Sequence, residues 1–126
     1  MRAATRIVAA ALCTTQLLVS NACANGDPAR GEVRFQECAA CHKLDAGVNG
    51  LGPSLHGIFE RKAGELADFR YSPALKRSGI VWSPQTLEAY LTDPQALVPG
   101  NRMPYAGMAD PGDRADLIAY LAKMSR

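Results

Sequence analysis

The stretch Cys38-Ala39-Ala40-Cys41-His42 determines how the rest of this chain is interpreted. Two thiols three residues apart, followed at once by an imidazole, form the pattern required for covalent attachment of a c-type haem. Each thiol can add to one vinyl group of the porphyrin as a thioether, and the adjacent histidine can reach the iron from the same side. The pentapeptide therefore predicts a protein with one covalently bound haem.

Two other sites use a Cys-x-x-Cys pattern, a structural zinc site and a thioredoxin-like redox pair. Zinc needs four ligands, and the chain after Cys41 offers no further cysteine and, besides His42, only His56. A redox pair of the thioredoxin type needs a βαβ pattern around the motif, and the sequence shows none. Haem attachment is the interpretation that the remaining residues favour.

The N-terminus has the form of a secretory signal peptide. Arg2 and Arg6 precede an apolar run over residues 7–19, and Ala22-Cys23-Ala24 offers small residues for cleavage. We expect a signal peptide at 1–24 and one mature domain at 25–126. The apolar run is shorter than the ~20 residues that span a bilayer, so an uncleaved anchor is the less favoured alternative, and a lipoprotein cut before Cys23 is a minor one.

Cleavage changes the cysteine count and the charge. Cys13 and Cys23 would leave with the signal peptide, so both remaining cysteines would be used by the haem and no disulfide is expected. Removing Arg2 and Arg6 from the 14 basic residues leaves as many basic as acidic residues, 12 of each. A chain without net positive charge gives no reason to expect nucleic-acid binding.

Helical signals dominate the mature chain, and no alternating strand of useful length appears. Asp27-Pro28 predicts the start of a helix that runs towards Cys38. Ser83-Pro84 predicts a second helix that stops before Pro94, because a residue that precedes proline is disfavoured in helical geometry. Apolar residues at helical spacing after Asp113, which we expect to be the N-cap, predict a third. The predicted class is all-α, with three main helices and long loops packed around the haem.

The mature chain contains few residues that can bind the iron from either side of the haem. The carbonyl of Pro53 can accept the Nδ1 proton of His42 and so favour coordination through Nε2. On the other face the candidates are His56 and three methionines. Met103 lies in a loop rich in proline and glycine that can hold a thioether over the metal, and Met108 is its rival; Met124 falls in the last helix. Spacing alone leaves these alternatives open, since methionine is usually core filler.

The chain closely resembles the class I cytochromes c, both the mitochondrial type and its secreted bacterial relatives. The resemblance covers essentially the whole mature chain and rests on seven ordered motifs: Cys38-x-x-Cys41-His42, Gly52-Pro53-x-Leu55-His56-Gly57, Phe69-x-Tyr71, Gly79-Ile80-x-Trp82, Thr86-Leu87-x-x-Tyr90-Leu91, Pro99-Gly100-x-x-Met103-x-x-Ala106-Gly107 and Asp116-Leu117-Ile118-Ala119-Tyr120-Leu121. It implies the small cytochrome c fold around one haem.

The resemblance also implies a role for individual positions. It makes Cys38 and Cys41 the attachment points, His42 and Met103 the axial iron ligands, and the Pro53 carbonyl the group that orients His42. The remaining implied site residues are Arg61, Tyr71 and Trp82 near the haem propionates, Tyr90 near the Met103 sulfur, and Asn101 beside the propionate or the ligand loop. Gly31 and Phe35 are implied at the crossing of the first and last helices, a structural contact.

Two features depart from the resemblance. Leu75 stands where many mitochondrial members have a polar residue near the haem. The balanced charge of the mature chain also differs from their strongly basic character, although some cations can still cluster at the haem edge and steer an acidic partner. The candidates for such a cluster are Lys43, Lys62, Lys76, Arg77 and Arg102.

Function follows from the implied ligation, since an iron with both axial positions filled has no site for oxygen or substrate. We therefore expect a soluble, monomeric one-electron carrier of the bacterial periplasm, not an enzyme and not inserted in the membrane after cleavage. Its expected partners are redox proteins, such as a quinol–cytochrome c reductase and a terminal oxidase or reaction centre, in short-lived complexes. The alternatives are a haem peroxidase or gas sensor, and a haem subunit dedicated to one dehydrogenase or oxidase.

Overall fold

The computed structural model describes residues 26–126, so the predicted signal peptide at 1–24 lies outside the described residues. Within this range the secondary structure is helical, and the pair Lys62 and Val81 forms an isolated antiparallel bridge without a strand. The helices are α1 (Pro28–Ala39), α2 (Pro73–Arg77), α3 (Pro84–Thr92), α4 (Pro94–Leu97) and α5 (Pro111–Met124). The all-α prediction is confirmed, and α1, α3 and α5 are its three main helices.

All five helices in residues 26–126 begin with the same two-residue signal. Each has an aspartate or serine as N-cap and a proline directly after it, and the cap side chain accepts a hydrogen bond from a main-chain N–H of the first turn. Proline suits this position because its missing N–H would be unpaired there and its φ angle is already helical. Ser83 adds a reciprocal bond with Thr86, which completes a capping box at α3.

The structure corrects one predicted helix start and adds two short helices. The N-cap of α5 is Asp110 and not Asp113, whose main-chain N–H instead donates to the Asp110 side chain at 2.9 Å. Asp113 lies in the first helical turn, where its negative charge is favourable to the helix dipole. The helices α2 and α4 have five and four residues, which is too short to show a helical period in the sequence.

The fold is closed by the crossing of α1 and α5, which brings the two ends of the described chain together. Gly31 is buried at the crossing, and any side chain there would overlap the main-chain carbonyl of Asp116. The missing side chain therefore lets the two backbones approach closely. Beside it, the rings of Phe35 and Tyr120 lie 5.4 Å apart between centroids. This is the contact that the resemblance implies.

Charged groups at the rim of the crossing complete the contact. The Asp116 carboxylate is 6% exposed and accepts bonds from Arg30 Nε at 2.6 Å and from the Asp27 main-chain N–H at 2.6 Å. The hydrogen bond from Arg30 is the main reason that the pKa of Asp116 is lowered. Arg34 and Asp113 form a second, more exposed ion pair at 3.1 Å.

Buried hydrophobic side chains form two clusters. The first cluster is centred on the α1–α5 crossing and contains Phe35, Leu91, Met108, Leu117, Tyr120 and Leu121. The second cluster lies around α3 and contains Ile58, Ala63, Trp82, Leu87, Tyr90 and Val98. Leu55, Phe59 and Ile118 are partly buried and pack against both clusters. The loop around residues 55–59 is thus held where the two clusters meet.

Candidate haem-binding site

The two thiols and the imidazole of the opening motif share one turn at the end of α1. Cys38 lies in the last helical turn, and its carbonyl accepts bonds from the main-chain N–H groups of Cys41 at 3.0 Å and of His42 at 2.8 Å. Both cysteines are free and partly buried. Burial raises the pKa of Cys38 to about 11, with the negative charges of Glu37 and Cys41 adding to the effect. At neutral pH it is therefore a thiol, the S–H form that adds across a vinyl group.

His42 is oriented from one side of its ring. Its Nδ1 lies 2.7 Å from the carbonyl oxygen of Pro53, which can only accept, so Nδ1 carries the proton and Nε2 has a free lone pair. Gly52 packs against the ring, since a Cβ at that position would lie 2.5 Å from Cε1 and 2.9 Å from Nε2. Burial lowers the pKa of His42, so the neutral form that can bind a metal is favoured.

The loop that contains Pro53 is held by bonds from side chains to the main chain. Ser54 is buried, its hydroxyl donates to the Asp45 carbonyl at 2.6 Å, and its N–H donates to Asn49 Oδ1 at 2.8 Å. Arg61 donates from its two terminal nitrogens to the carbonyls of Ser54 and His56, both at 2.8 Å. The carbonyl that orients His42 therefore belongs to a segment with little freedom to move.

Arg61 and Tyr71, two of the residues implied near the propionates, lie close enough to affect each other's ionisation. Burial lowers the pKa of Arg61 and raises that of Tyr71, while the charge of each group opposes the shift of the other. The Tyr71 side chain is 8% exposed, and its ring packs edge-on against Phe69 with centroids 4.9 Å apart. The structure thus brings a cation and a phenol together in a partly buried environment.

Trp82, Tyr90 and Met103 meet at the second hydrophobic cluster. The rings of Trp82 and Tyr90 pack edge to face with centroids 5.0 Å apart, and burial raises the pKa of Tyr90 to about 12. Met103 is partly buried and packs against this cluster. The rival Met108 is 6% exposed within the first cluster, and Met124 is 45% exposed at the end of α5.

Asn101 anchors the segment that leads to Met103. It is buried, and its side-chain nitrogen donates to the carbonyls of Pro94 at 2.9 Å and Val98 at 3.0 Å. Its Oδ1 accepts the main-chain N–H of Met103 at 2.9 Å. The nitrogen and the oxygen of one amide thereby both fix the loop relative to α4, and the N–H bonded to the oxygen belongs to the candidate ligand.

Comparison with known proteins decides the family. The family described as Cytochrome c matches residues 28–125. The chain is 49% identical over 90 residues to cytochrome c2 iso-2 of Magnetospirillum fulvum, covering 71% of this chain and 94% of that protein. It is 46% identical over 99 residues to cytochrome c2 of Rhodoblastus acidophilus, covering 78% and 92%. The chain belongs to the cytochrome c family.

A solved structure supports the same assignment for the fold. Cytochrome cH from Methylobacterium extorquens is similar with a TM-score of 0.73 and 45% sequence identity, covering 78% of this chain and 99% of the other. The predicted membership in the class I cytochromes c is therefore confirmed, together with the small helical fold. The protein is an electron-transfer protein rather than an enzyme, and the family implies a covalently bound haem c.

The side chains of this cytochrome c fit that cofactor. Two free cysteines and an imidazole with a free Nε2 share one turn, which is the donor set for covalent attachment and iron binding. Partly buried apolar side chains at the edges of both clusters, among them Leu55, Phe59 and Met103, suit the apolar body of a porphyrin. Within residues 26–126, none of the helices is long and apolar enough to cross a membrane.

Two residues that hold the site of this cytochrome c, Ser54 and Tyr105, were not predicted from the sequence. Ser54 stood at an unspecified position of its motif, and its role depends on the Asp45 carbonyl, which no sequence pattern indicates. Tyr105 lies two residues after Met103, and its hydroxyl donates to Glu37 Oε2 at 2.9 Å across 68 residues of chain. A polar aromatic residue next to a candidate ligand was the only available signal.

Proposed function

We propose that His42 and Met103 bind the haem iron from opposite sides and that this cytochrome c carries single electrons between redox complexes in the bacterial periplasm. The observation that carries the proposal is the bond between His42 Nδ1 and the Pro53 carbonyl at 2.7 Å. Because that bond occupies one ring nitrogen, Nε2 is the atom left to bind iron, and its basicity is increased.

Met103 is the proposed ligand on the second side. Asn101 holds its main-chain N–H, and its side chain is partly buried beside the cluster that contains Trp82 and Tyr90. Met108 is less suited because its side chain is part of the first cluster, packed among residues of α1, α3 and α5. A thioether ligand favours Fe(II) and raises the reduction potential.

Filling both axial positions selects electron transfer over other haem chemistry. The bound haem supplies a one-electron couple between Fe(III) and Fe(II). The protein's contribution is to exclude water and to keep the ligands in place through the change of charge, and the Pro53 and Asn101 hydrogen bonds serve that purpose. In the same proposal Arg61, Tyr71 and Trp82 lie near the propionates, where a cation and polar hydrogens stabilise negative charge.

Partners and location complete the proposal. The apolar segment with two arginines at 1–24 supports export, and cleavage would release residues 25–126 into the periplasm. A quinol–cytochrome c reductase is the proposed donor, and a terminal oxidase or reaction centre the proposed acceptor. The cations Lys43, Lys62, Lys76, Arg77 and Arg102 are all exposed, as steering of a transient acidic partner requires. We propose that the protein acts as a monomer.

The test of ligation is Met103→Ala in the haem-loaded protein, with Met108→Leu as the matched control. We expect Met103→Ala to abolish the Fe–S charge-transfer absorption of the ferric protein and to lower its reduction potential, because the thioether is lost. Met108→Leu conserves core volume and should change neither quantity, at a cost in stability below about 1.5 kcal/mol.

Three outcomes would contradict the proposal. If Met103→Ala retained the absorption, or Met108→Leu removed it, the ligand would be assigned to the wrong methionine. If the unmodified reduced protein bound carbon monoxide rapidly at neutral pH, the second axial position would be open. That result would favour the alternative of a haem peroxidase or a gas sensor.

A further inference from the structure

Hydrogen bonds attach the loop at residues 98–110, between α4 and α5, to α4 near its start and to α3 near its end. Near its start the Asn101 amide binds the carbonyls of Pro94 and Val98. Near its end the N–H of Met108 donates to the Leu91 carbonyl at 2.7 Å. The proposed ligand Met103 lies between these attachments, so the middle of the loop is the part that they hold least directly.

One bond joins the middle of this loop to α1. The Tyr105 hydroxyl donates to Glu37 Oε2 at 2.9 Å, and within residues 26–126 it is the one hydrogen bond between the 98–110 loop and α1. Glu37 directly precedes Cys38, the first attachment point of the haem. The acceptor is a carboxylate, and hydrogen bonds to charged groups are stronger than those between neutral groups.

Tyr105 is also tied to the main chain of Met103. Its N–H donates to the Met103 carbonyl at 2.8 Å across Pro104, which closes a three-residue turn around a proline with a fixed φ angle. Met103 is thus held through its N–H by Asn101 and through its carbonyl by Tyr105. A movement of the Tyr105 backbone is therefore transmitted to the Met103 backbone.

We infer that Tyr105 and Glu37 form a latch that positions Met103 and slows its dissociation from the iron. This inference rests on the proposed axial role of Met103. Dissociation requires the middle of the loop to move away, and such movement stretches or breaks the hydrogen bond between Tyr105 and Glu37, the only one that joins the loop to α1 within residues 26–126. The Glu37–Tyr105 latch stabilises the closed loop without stabilising the open one to the same extent, and it lowers the open population.

The test is the binding of imidazole to the ferric haem-loaded protein, because imidazole can take the iron position only after Met103 has left it. Tyr105→Phe retains the ring and removes the hydroxyl. We expect it to keep the Fe–S charge-transfer absorption and to bind imidazole roughly three- to tenfold more tightly, with a matching increase in the observed binding rate. Glu37→Gln keeps a neutral acceptor and should give a smaller increase.

Matched controls separate the latch from general destabilisation. Asp113→Asn weakens the ion pair with Arg34 between α1 and α5. Its only bond to the loop runs from its main-chain N–H to Asp110 and is retained, so its imidazole affinity should equal that of the unmodified protein. Tyr105→Phe combined with Glu37→Gln should show no increase beyond Tyr105→Phe alone, because both changes remove the same bond.

Three results would overturn the inference. They are an unchanged imidazole affinity in Tyr105→Phe, an equal increase in Asp113→Asn, and full additivity of the two latch changes. The proposed ligation is tested separately, since its failure would appear as a charge-transfer absorption that persists in Met103→Ala. A latch that fails while Met103→Ala loses the absorption would leave the ligand assignment intact.

Discussion

The α1–α5 crossing and the 98–110 loop are held by different kinds of contact. At the crossing, Gly31 lets two backbones touch, and aromatic and aliphatic side chains pack on either side. In the loop, Asn101 and Tyr105 fix the main chain through hydrogen bonds, and Met103 packs only at the edge of a cluster. The crossing buries apolar surface between helices, whereas the loop uses polar side chains to position one residue, Met103.

This difference separates stability from ligand control. Close packing between helices contributes to the free energy of unfolding of the whole domain, so a packing defect at the crossing destabilises the whole domain. A hydrogen bond that positions a loop contributes less to that free energy but acts directly on the geometry of Met103. Substitutions in the two regions should therefore change different measured quantities.

Gly31→Ala should have the largest effect on stability. The added methyl group would overlap the Asp116 carbonyl, so α1 and α5 must separate. We expect a loss of about 3 kcal/mol in the free energy of unfolding, measured by denaturant titration. The charge-transfer absorption of the folded protein should remain. As a control, Val33→Ala changes a residue of α1 that is 64% exposed, and it should lower the free energy of unfolding only slightly. An equal loss of stability in that variant would show that the crossing has no special role.

Asn101→Ala should have an intermediate effect on stability and a direct effect on Met103. It leaves the Met103 N–H without its buried acceptor and removes one of the bonds to each of the Pro94 and Val98 carbonyls, which keep their main-chain donors. We expect a loss of about 2 kcal/mol, together with tighter imidazole binding to the ferric protein. A variant that lost stability with unchanged imidazole affinity would show that Asn101 supports the fold without positioning the ligand.

Asp116→Asn should have the smallest effect at neutral pH, because its partner Arg30 is 67% exposed and solvent screens the pair. Since Arg30 lowers the pKa of Asp116 in the folded state, the carboxylate stabilises the fold above its unfolded pKa. That contribution disappears as the pH falls through the folded pKa. Acid titrations should show a weaker loss of stability below about pH 4 in the variant than in the unmodified protein. Identical pH profiles would contradict this role.

The sequence allowed much of this architecture to be predicted, because its signals are local. Asp27-Pro28 and Ser83-Pro84 mark helix starts that the structure contains, and the same signal at Ser72-Pro73 and Asp93-Pro94 marks the two short helices that were not predicted. Four or five residues do not establish a period, so only the cap indicated them. The same signal at Asp110-Pro111 marks the start of α5, three residues before the predicted cap Asp113.

The positioning groups could not be predicted in the same way. Ser54 and Tyr105 act on partners that a folded chain brings near, at separations of 9 and 68 residues. Neither residue type is informative without its partner, because serine and tyrosine are common in loops and at surfaces. Arg61 likewise binds the carbonyls of Ser54 and His56 only because the backbone between residues 54 and 61 turns back on itself.

The sequence by itself determined the chemistry of attachment and the helical class. Thiols, an imidazole and cap–proline pairs act over a few residues, where the covalent spacing of the chain already sets their geometry. The Pro53 carbonyl was predicted for His42 and Asn101 was implied beside the ligand loop, whereas only the tertiary structure showed the bonds that fix the segment with Pro53 and the loop with Met103. The physical reason is distance along the chain, since the bond from Tyr105 to Glu37 joins groups that only the folded chain brings together.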